Sequence, residues 1–99
     1  FVRMIRVTVK HAEEKVSENA AIVLAKDLTD RLGKQQVLGP EVPYIFKIRN
    51  LFLNEIHVKL PRETTNLKAA KGQIAQAIFN LKLLPDFKGI RVVADVDPV

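Results

Sequence analysis

Residues 37–61, VLGPEVPYIFKIRNLFLNEIHVKLP, decide the reading of this chain. Over 44–49 and 54–60 the residues are β-branched or aromatic at alternating positions, the pattern of a pleated, half-buried surface. Asn50–Leu53 between them reads as a turn, so the two runs form a hairpin. Gly39-Pro40-Glu41 punctuates the approach and Pro61 closes it. On the first strand Lys47 and Arg49 share a face with Ile45, while Phe46 and Ile48 take the other. On the second strand Ile56, Val58 and Leu60 make the apolar face, and Glu55, His57 and Lys59 the polar one.

Outward from the hairpin the chain is nearly symmetric. Upstream, residues 2–10 alternate as a strand, with Ile5, Val7 and Val9 on one face and Met4, Arg6, Thr8 and Lys10 on the other. Residues 13–32 read as a helix with an apolar stripe of Val16, Ala20, Val23, Leu24, Leu28 and Leu32. Glu13, Glu14 and Glu18 suit the positive end of its dipole, Lys26 and Arg31 the negative end. Gly33 suits the positive φ that follows a helix. In the connector over 34–43, Val37-Leu38 is a candidate short strand. Downstream, Thr64, Thr65 or Asn66 can cap a helix over 66–83, whose stripe is Leu67, Ala70, Ile74, Ala77, Ile78 and Leu81. Pro85 and Gly89 bound a loop, and residues 90–96 form the last strand.

The order β-α-β-β-α-β implies an α+β fold in which two helices cover one face of a four-stranded antiparallel sheet. The right-handed crossover rule favours the split βαβ, ferredoxin-like arrangement with strand order 4-1-3-2. Its 99 residues suit one domain over 1–99, long enough to bury a core. The apolar content of 47% excludes a disordered polyelectrolyte. The absence of cysteine excludes disulfides and thiolate zinc sites. No apolar run approaches the ~20 residues of a membrane span, and no signal-peptide pattern is present. Phe1 in place of Met reads as a fragment or a processed product.

Sixteen Lys and Arg against eleven Asp and Glu give a net charge of +5. That balance favours a polyanion: nucleic acid or an acidic peptide. Alternation concentrates it. The sheet face away from the helices is expected to carry Arg6, Lys10, Lys47, Arg49, Lys59 and Arg91 against Glu55 and Asp95, six cations to two carboxylates. Such a face attracts phosphates without reading sequence; the alternative is a strand face that is merely solvated. The central strand positions Glu55, His57 and Lys59 hold no stacking aromatic, and the RNA-recognition-motif pattern is absent. The expected hairpin tip, Asn50-Leu51-Phe52-Leu53, is unusually apolar for a turn. It suggests docking on another surface, with Phe52 as the partner contact, or a wedge against bases; the alternative is a tip folded back on the domain. Lys68 and Lys71, one turn apart on the second helix, suit an acidic peptide end or are ordinary solvated lysines.

Catalytic patterns are missing: His11 and His57 lie far apart, and no Ser-His-Asp, HExxH or P-loop arrangement occurs. Asp95 and Asp97 place two carboxylates on one side of a strand end, too few for a cation site on their own. They suit a structural clamp.

Three segments combine into a resemblance. Val37-Leu38-Gly39-Pro40, Lys47-Ile48-Arg49-Asn50 and Asp95-Val96-Asp97-Pro98-Val99, in that order and spacing, resemble the C-terminal domain of the primosomal protein N′ (PriA) family of bacterial replication-restart helicases. Phe1 matches the end of that family's Pro-Pro-Phe junction, so the resemblance spans the chain. It implies a non-catalytic piece of an ATP-dependent 3′→5′ DNA helicase, whose ATP, magnesium and zinc sites lie outside these residues. It implies a fold like a small-subunit ribosomal protein. It implies forked or single-stranded DNA, the acidic tail of single-stranded DNA-binding protein and the helicase core as partners. The place is the bacterial cytoplasm, at the nucleoid, with no membrane. The family hairpin reads Arg-x-Arg-Gly-x-aromatic-Arg-aromatic; Lys47, Arg49 and Phe52 keep its character, while Leu53 and Asn54 depart. Lys68 and Lys71 fall near its tail-binding helix. The expected function is DNA binding through Arg6, Lys10, Lys47, Arg49, Lys59 and Arg91, with Lys68, Lys71 and Phe52 for partners. The alternatives are a module that braces the helicase core, or a ribosomal-type RNA-binding protein of the same fold.

Overall fold

The computed structural model describes residues 2–61 and 67–96. The strands are β1 (Val2–His11), β2 (Val37–Glu41), β3 (Lys47–Ile48), β4 (Leu51–Pro61) and β5 (Arg91–Val96); the helices are α1 (Glu14–Leu32) and α2 (Leu67–Leu83). The expected caps Thr64, Thr65 and Asn66 lie outside the described residues. β1 is central, antiparallel to β4 on one side and to β5 on the other. The sheet runs β2-β4-β1-β5, with β3 also on β4. With the outer position shared by β2 and β3, this is the 4-1-3-2 order expected for the α+β split βαβ fold.

That shared edge corrects the hairpin. The expected strand over 44–49 is replaced by two short ones, because the edge is interrupted. Val37 pairs with Val58 and Leu38 with His57, but the register breaks before Glu41. Pro40 and Pro43 offer no N–H to the ladder, and such residues are confined to edges and bulges. Gly39, at φ +103°, crosses so close to β4 that a β-carbon there would stand 2.9 Å from the Glu55 carbonyl oxygen. The chain then leaves the sheet and rejoins it at Lys47, paired with Phe52.

The turn moves as well. Ile48 pairs with Leu51, so the loop is Arg49-Asn50, and both residues have positive φ, 53° and 65°. Positive φ at both positions is the type I′ geometry whose twist matches that of two strands. Leu51, Phe52 and Leu53 are therefore strand residues rather than an exposed apolar tip: Leu53 is only 6% exposed, and Leu51 and Phe52 are half-buried.

The helices cover the face formed by Ile5, Val7, Val9, Ile56, Val58 and Leu60, all buried as the alternation predicts. α1 meets that face with Ser17, Ala20, Ala21, Leu24, Ala25 and Leu28. Val23, expected inside, is exposed. A buried polar cluster accounts for the rotation. The Ser17 hydroxyl lies within 3.3 Å of the Val9 carbonyl oxygen and 3.0 Å of that of Phe52, and it accepts a hydrogen bond of 2.9 Å from Asn54 Nδ2. Placing Ser17 against the β1–β4 seam satisfies these buried groups. It then puts the small Ala20 and Ala21 next to the sheet, and turns Val23 outward. α1 stops as expected: Gly33, φ +104°, donates its N–H to the Thr29 carbonyl at 2.8 Å.

α2 buries Ala70, Ile74, Ala77 and Leu81. A short 3-10 turn, Pro85–Phe87, follows it and buries Phe87. Arg31 ties the two helices together, bonding Asp27 at 2.9 Å within α1 and Gln73 at 2.8 Å on α2. The radius of gyration, 13.0 Å, is that of a compact domain of about 100 residues. No helix among the described residues is long and apolar enough to cross a membrane.

Candidate nucleic-acid interface

Register decides which side chains share the sheet face opposite the helices. Arg6 lies between His57 on β4 and Asp95 on β5; Thr8 lies between Glu55 and Val93; Lys10 lies between Leu53 and Arg91. Lys59, opposite Met4, shares this parity. The expected placements of Arg6, Lys10, Glu55, His57, Lys59, Arg91 and Asp95 all hold.

Lys47 is the correction. It pairs with Phe52, and Phe52 pairs with His11, which continues the parity of Val7 and Val9. Lys47 therefore stands on the side of the helices, with its Nζ 4.8 Å from the centroid of the Phe52 ring. A pairing frame displaced by one residue exchanges the two faces, so moving the turn to Arg49-Asn50 was enough to do this. Phe52, expected to dock from an exposed tip, is half-buried under that lysine.

The charge on the reverse face is also more even than expected. Among the described strand residues it carries Arg6, Lys10, Lys59 and Arg91 against Glu41, Glu55 and Asp95, four cations to three carboxylates. Its middle is mixed: His57 Nδ1 lies 3.4 Å from Glu41 Oε1, and Nε2 lies 4.0 Å from Glu55 Oε1.

One corner is different. Lys10 from the end of β1, Arg91 from the start of β5 and Arg49 from the turn surround a hollow of about 260 Å³, whose apolar lining is Ile48, Leu51 and Val93. Among the described residues no carboxylate lines it. Lys59 lies six residues along β1 from this corner, on the order of 20 Å at the usual rise per strand residue. Three cations around one recess can bind a phosphate from several sides at once.

A second hollow, of about 470 Å³, shares Lys10, Ile48 and Val93 with the first. Its outer wall is Pro43, Tyr44 and Ile45, from the segment that leaves the sheet edge. The Tyr44 ring is wholly exposed, at 102%, and Phe46 is 51% exposed. The central strands, where base-stacking sheets carry their aromatics, have none on this face, and the exposed aromatics stand instead on the edge connector. In the sequence Tyr44-Ile45-Phe46 follow Pro43 and alternate like a strand, which hides that they lie ahead of β3.

Lys68 and Lys71 lie exposed near the start of α2 as expected. Lys71 lines an apolar groove of about 320 Å³ between α2 and β5, with Ile74 and Ile78 on one wall and Ala94 and Val96 on the other. Lys68 does not line it. Among the described residues the outer edge of β5 pairs with no strand, and no three His, Asp or Glu side chains gather as a metal site. Asp97, the expected partner of Asp95, lies outside the described residues.

The family model described as the primosomal protein N C-terminal domain matches residues 1–99. No curated protein matches the chain.

Proposed function

The chain belongs to the primosomal protein N C-terminal domain family, which makes it a domain of the primosome and of replication restart, and from that premise we propose that it binds the phosphate backbone of forked or single-stranded DNA. The observation that carries this reading is the corner of Lys10, Arg49 and Arg91, three cations around one recess with no carboxylate among the described residues of its lining. Arg6 and Lys59 extend the attraction across a face where nearby carboxylates dilute it. Lys47 has no part in this corner; its charge reaches DNA only around the hairpin edge. Binding by such contacts is indifferent to sequence and sensitive to salt, because each phosphate neutralised releases counterions. Anisotropy of a labelled fork tests this. The pair Lys10→Ala and Arg91→Ala is expected to reduce the slope of log affinity against log salt by about two. Unchanged affinity in that double variant overturns the assignment, and preference for structured RNA over forked DNA supports the ribosomal-type alternative.

The groove beside Lys71 favours a second role, docking of an acidic peptide end such as the tail of single-stranded DNA-binding protein. Its walls are apolar, its rim carries a cation, and the outer edge of β5, which pairs with no strand among the described residues, suits the addition of an extended chain. Lys71→Glu is expected to weaken capture of an acidic-tail peptide at least tenfold while leaving the salt slope for DNA unchanged. Equal peptide affinity in wild type and variant removes Lys71 from this role.

The helicase activity of the parent chain is part of the same proposal, and it is assigned to other parts of that chain. On this proposal the ATP, magnesium and zinc sites belong to those other parts as well, and this chain has no cysteine to give zinc a thiolate. On this reading the domain works in the bacterial cytoplasm as a non-catalytic DNA and partner contact.

A further inference from the structure

We propose that the hollow between the sheet face and the Pro43–Ile45 wall receives an unpaired base from the DNA strand whose phosphates lie at the Lys10–Arg49–Arg91 corner. This deepens the DNA reading and rests on it. The hollow is about 470 Å³, within the ~300–1,000 Å³ typical of small-ligand sites. Thr8, Leu53 and Val93 form its floor, and the wall beside Tyr44 is apolar. The wholly exposed Tyr44 at the rim belongs to a run of exposed apolar side chains with Val42, Ile45 and Phe46, and a contiguous apolar patch of this kind points to an interaction site.

Charge determines which part of a nucleotide can enter. Arg6, Glu55 and Asp95 line the interior, one cation to two carboxylates, whereas the lining of the corner carries Lys10, Arg49 and Arg91, so a phosphate favours the corner over the interior. The same carboxylates accept hydrogen bonds from the amino groups of adenine, cytosine or guanine. Cations stand at the shared wall, where Lys10 lines both hollows. A nucleotide therefore fits in one orientation, with its base inward against Tyr44 and its phosphate outward at the corner. Stacking on an aromatic ring tolerates any base, and together with a basic groove it is how proteins hold single strands. A protein segment packed on Tyr44 would use the ring but would not need the neighbouring cations.

The test compares a blunt duplex with the same duplex carrying a short unpaired tail that contains 2-aminopurine, using the 99-residue chain with its self-contained core. The tailed DNA is expected to bind about tenfold more tightly, with the aminopurine fluorescence quenched by stacking. Tyr44→Ala is expected to abolish both effects and Tyr44→Phe to retain them; the side chain is wholly exposed, so neither change should disturb folding. A tail preference that survives Tyr44→Ala, or an unquenched aminopurine, overturns the base site and leaves the ring to a protein contact. Equal binding of blunt and tailed DNA overturns it while the backbone reading stands. Failure to bind either DNA removes both.

Discussion

Arg49 sits at φ 53°, in the left-handed region, which disfavours a residue with a β-carbon by about 1–2 kcal/mol. Asn50, at φ 65°, tolerates that region better because its short amide bonds locally. A type I′ turn prefers Asn-Gly or Gly-Gly, so an arginine at the first position is retained against local preference. Strain held in this way points to a use for the side chain, and under the proposed DNA role that use is as the third cation of the corner. Arg49→Gly should therefore separate stability from binding. The variant is expected to gain roughly 0.5–1 kcal/mol after the extra unfolded-state freedom of glycine is subtracted. It is also expected to lose about one unit of salt slope on forked DNA. Urea denaturation reads the first effect and anisotropy the second; a variant that is less stable and binds normally would show that Arg49 serves the turn alone.

At the scale of elements, alternation placed β1 and β4 correctly because both are central strands with one dry face. Ile5, Val7 and Val9 are nearly inaccessible, and so are Ile56 and Val58. Where a strand has no dry face the pattern carries no register. β3 is two residues long with both exposed, so nothing in its sequence distinguished a strand over 44–49 from a connector ending in a short one. The deciding residues were Pro40 and Pro43, which interrupt an edge, and the paired positive φ of Arg49 and Asn50. The stripe of α1 failed for another reason. Val23 is more hydrophobic than Ala21 or Ala25, yet the alanines are buried. The helix is oriented by the Ser17–Asn54 bond, between residues 37 positions apart that periodicity does not connect. The candidate site shows the same division. Lys10 and Arg91 were legible because they belong to paired strands, whereas Lys47 was assigned to the wrong face and Tyr44 was missed because both belong to the edge.

For the whole molecule, a net charge of +5 suggests a surface that attracts DNA everywhere. The fold distributes that charge unevenly. Around Arg6 the neighbours His57, Asp95, Glu41 and Glu55 form a mixed network in which added phosphate gains little. At the corner Lys10, Arg49 and Arg91 face one recess without an opposing carboxylate. Exposed charges separated by more than about 8 Å at physiological salt are largely screened from each other. Lys59, on β4 opposite Met4 at the far end of β1, therefore adds little to a phosphate held at the corner. Single substitutions should reflect this separation. Arg91→Ala is expected to weaken fork binding about three- to tenfold at moderate salt, the scale of one lost phosphate contact. Lys59→Ala is expected to change it less than twofold, although both remove one exposed cation from the same sheet face. Equal losses in the two variants would mean that DNA reads total charge rather than the corner. In that case the recess between β1, β5 and the Arg49-Asn50 turn would have no special part in binding.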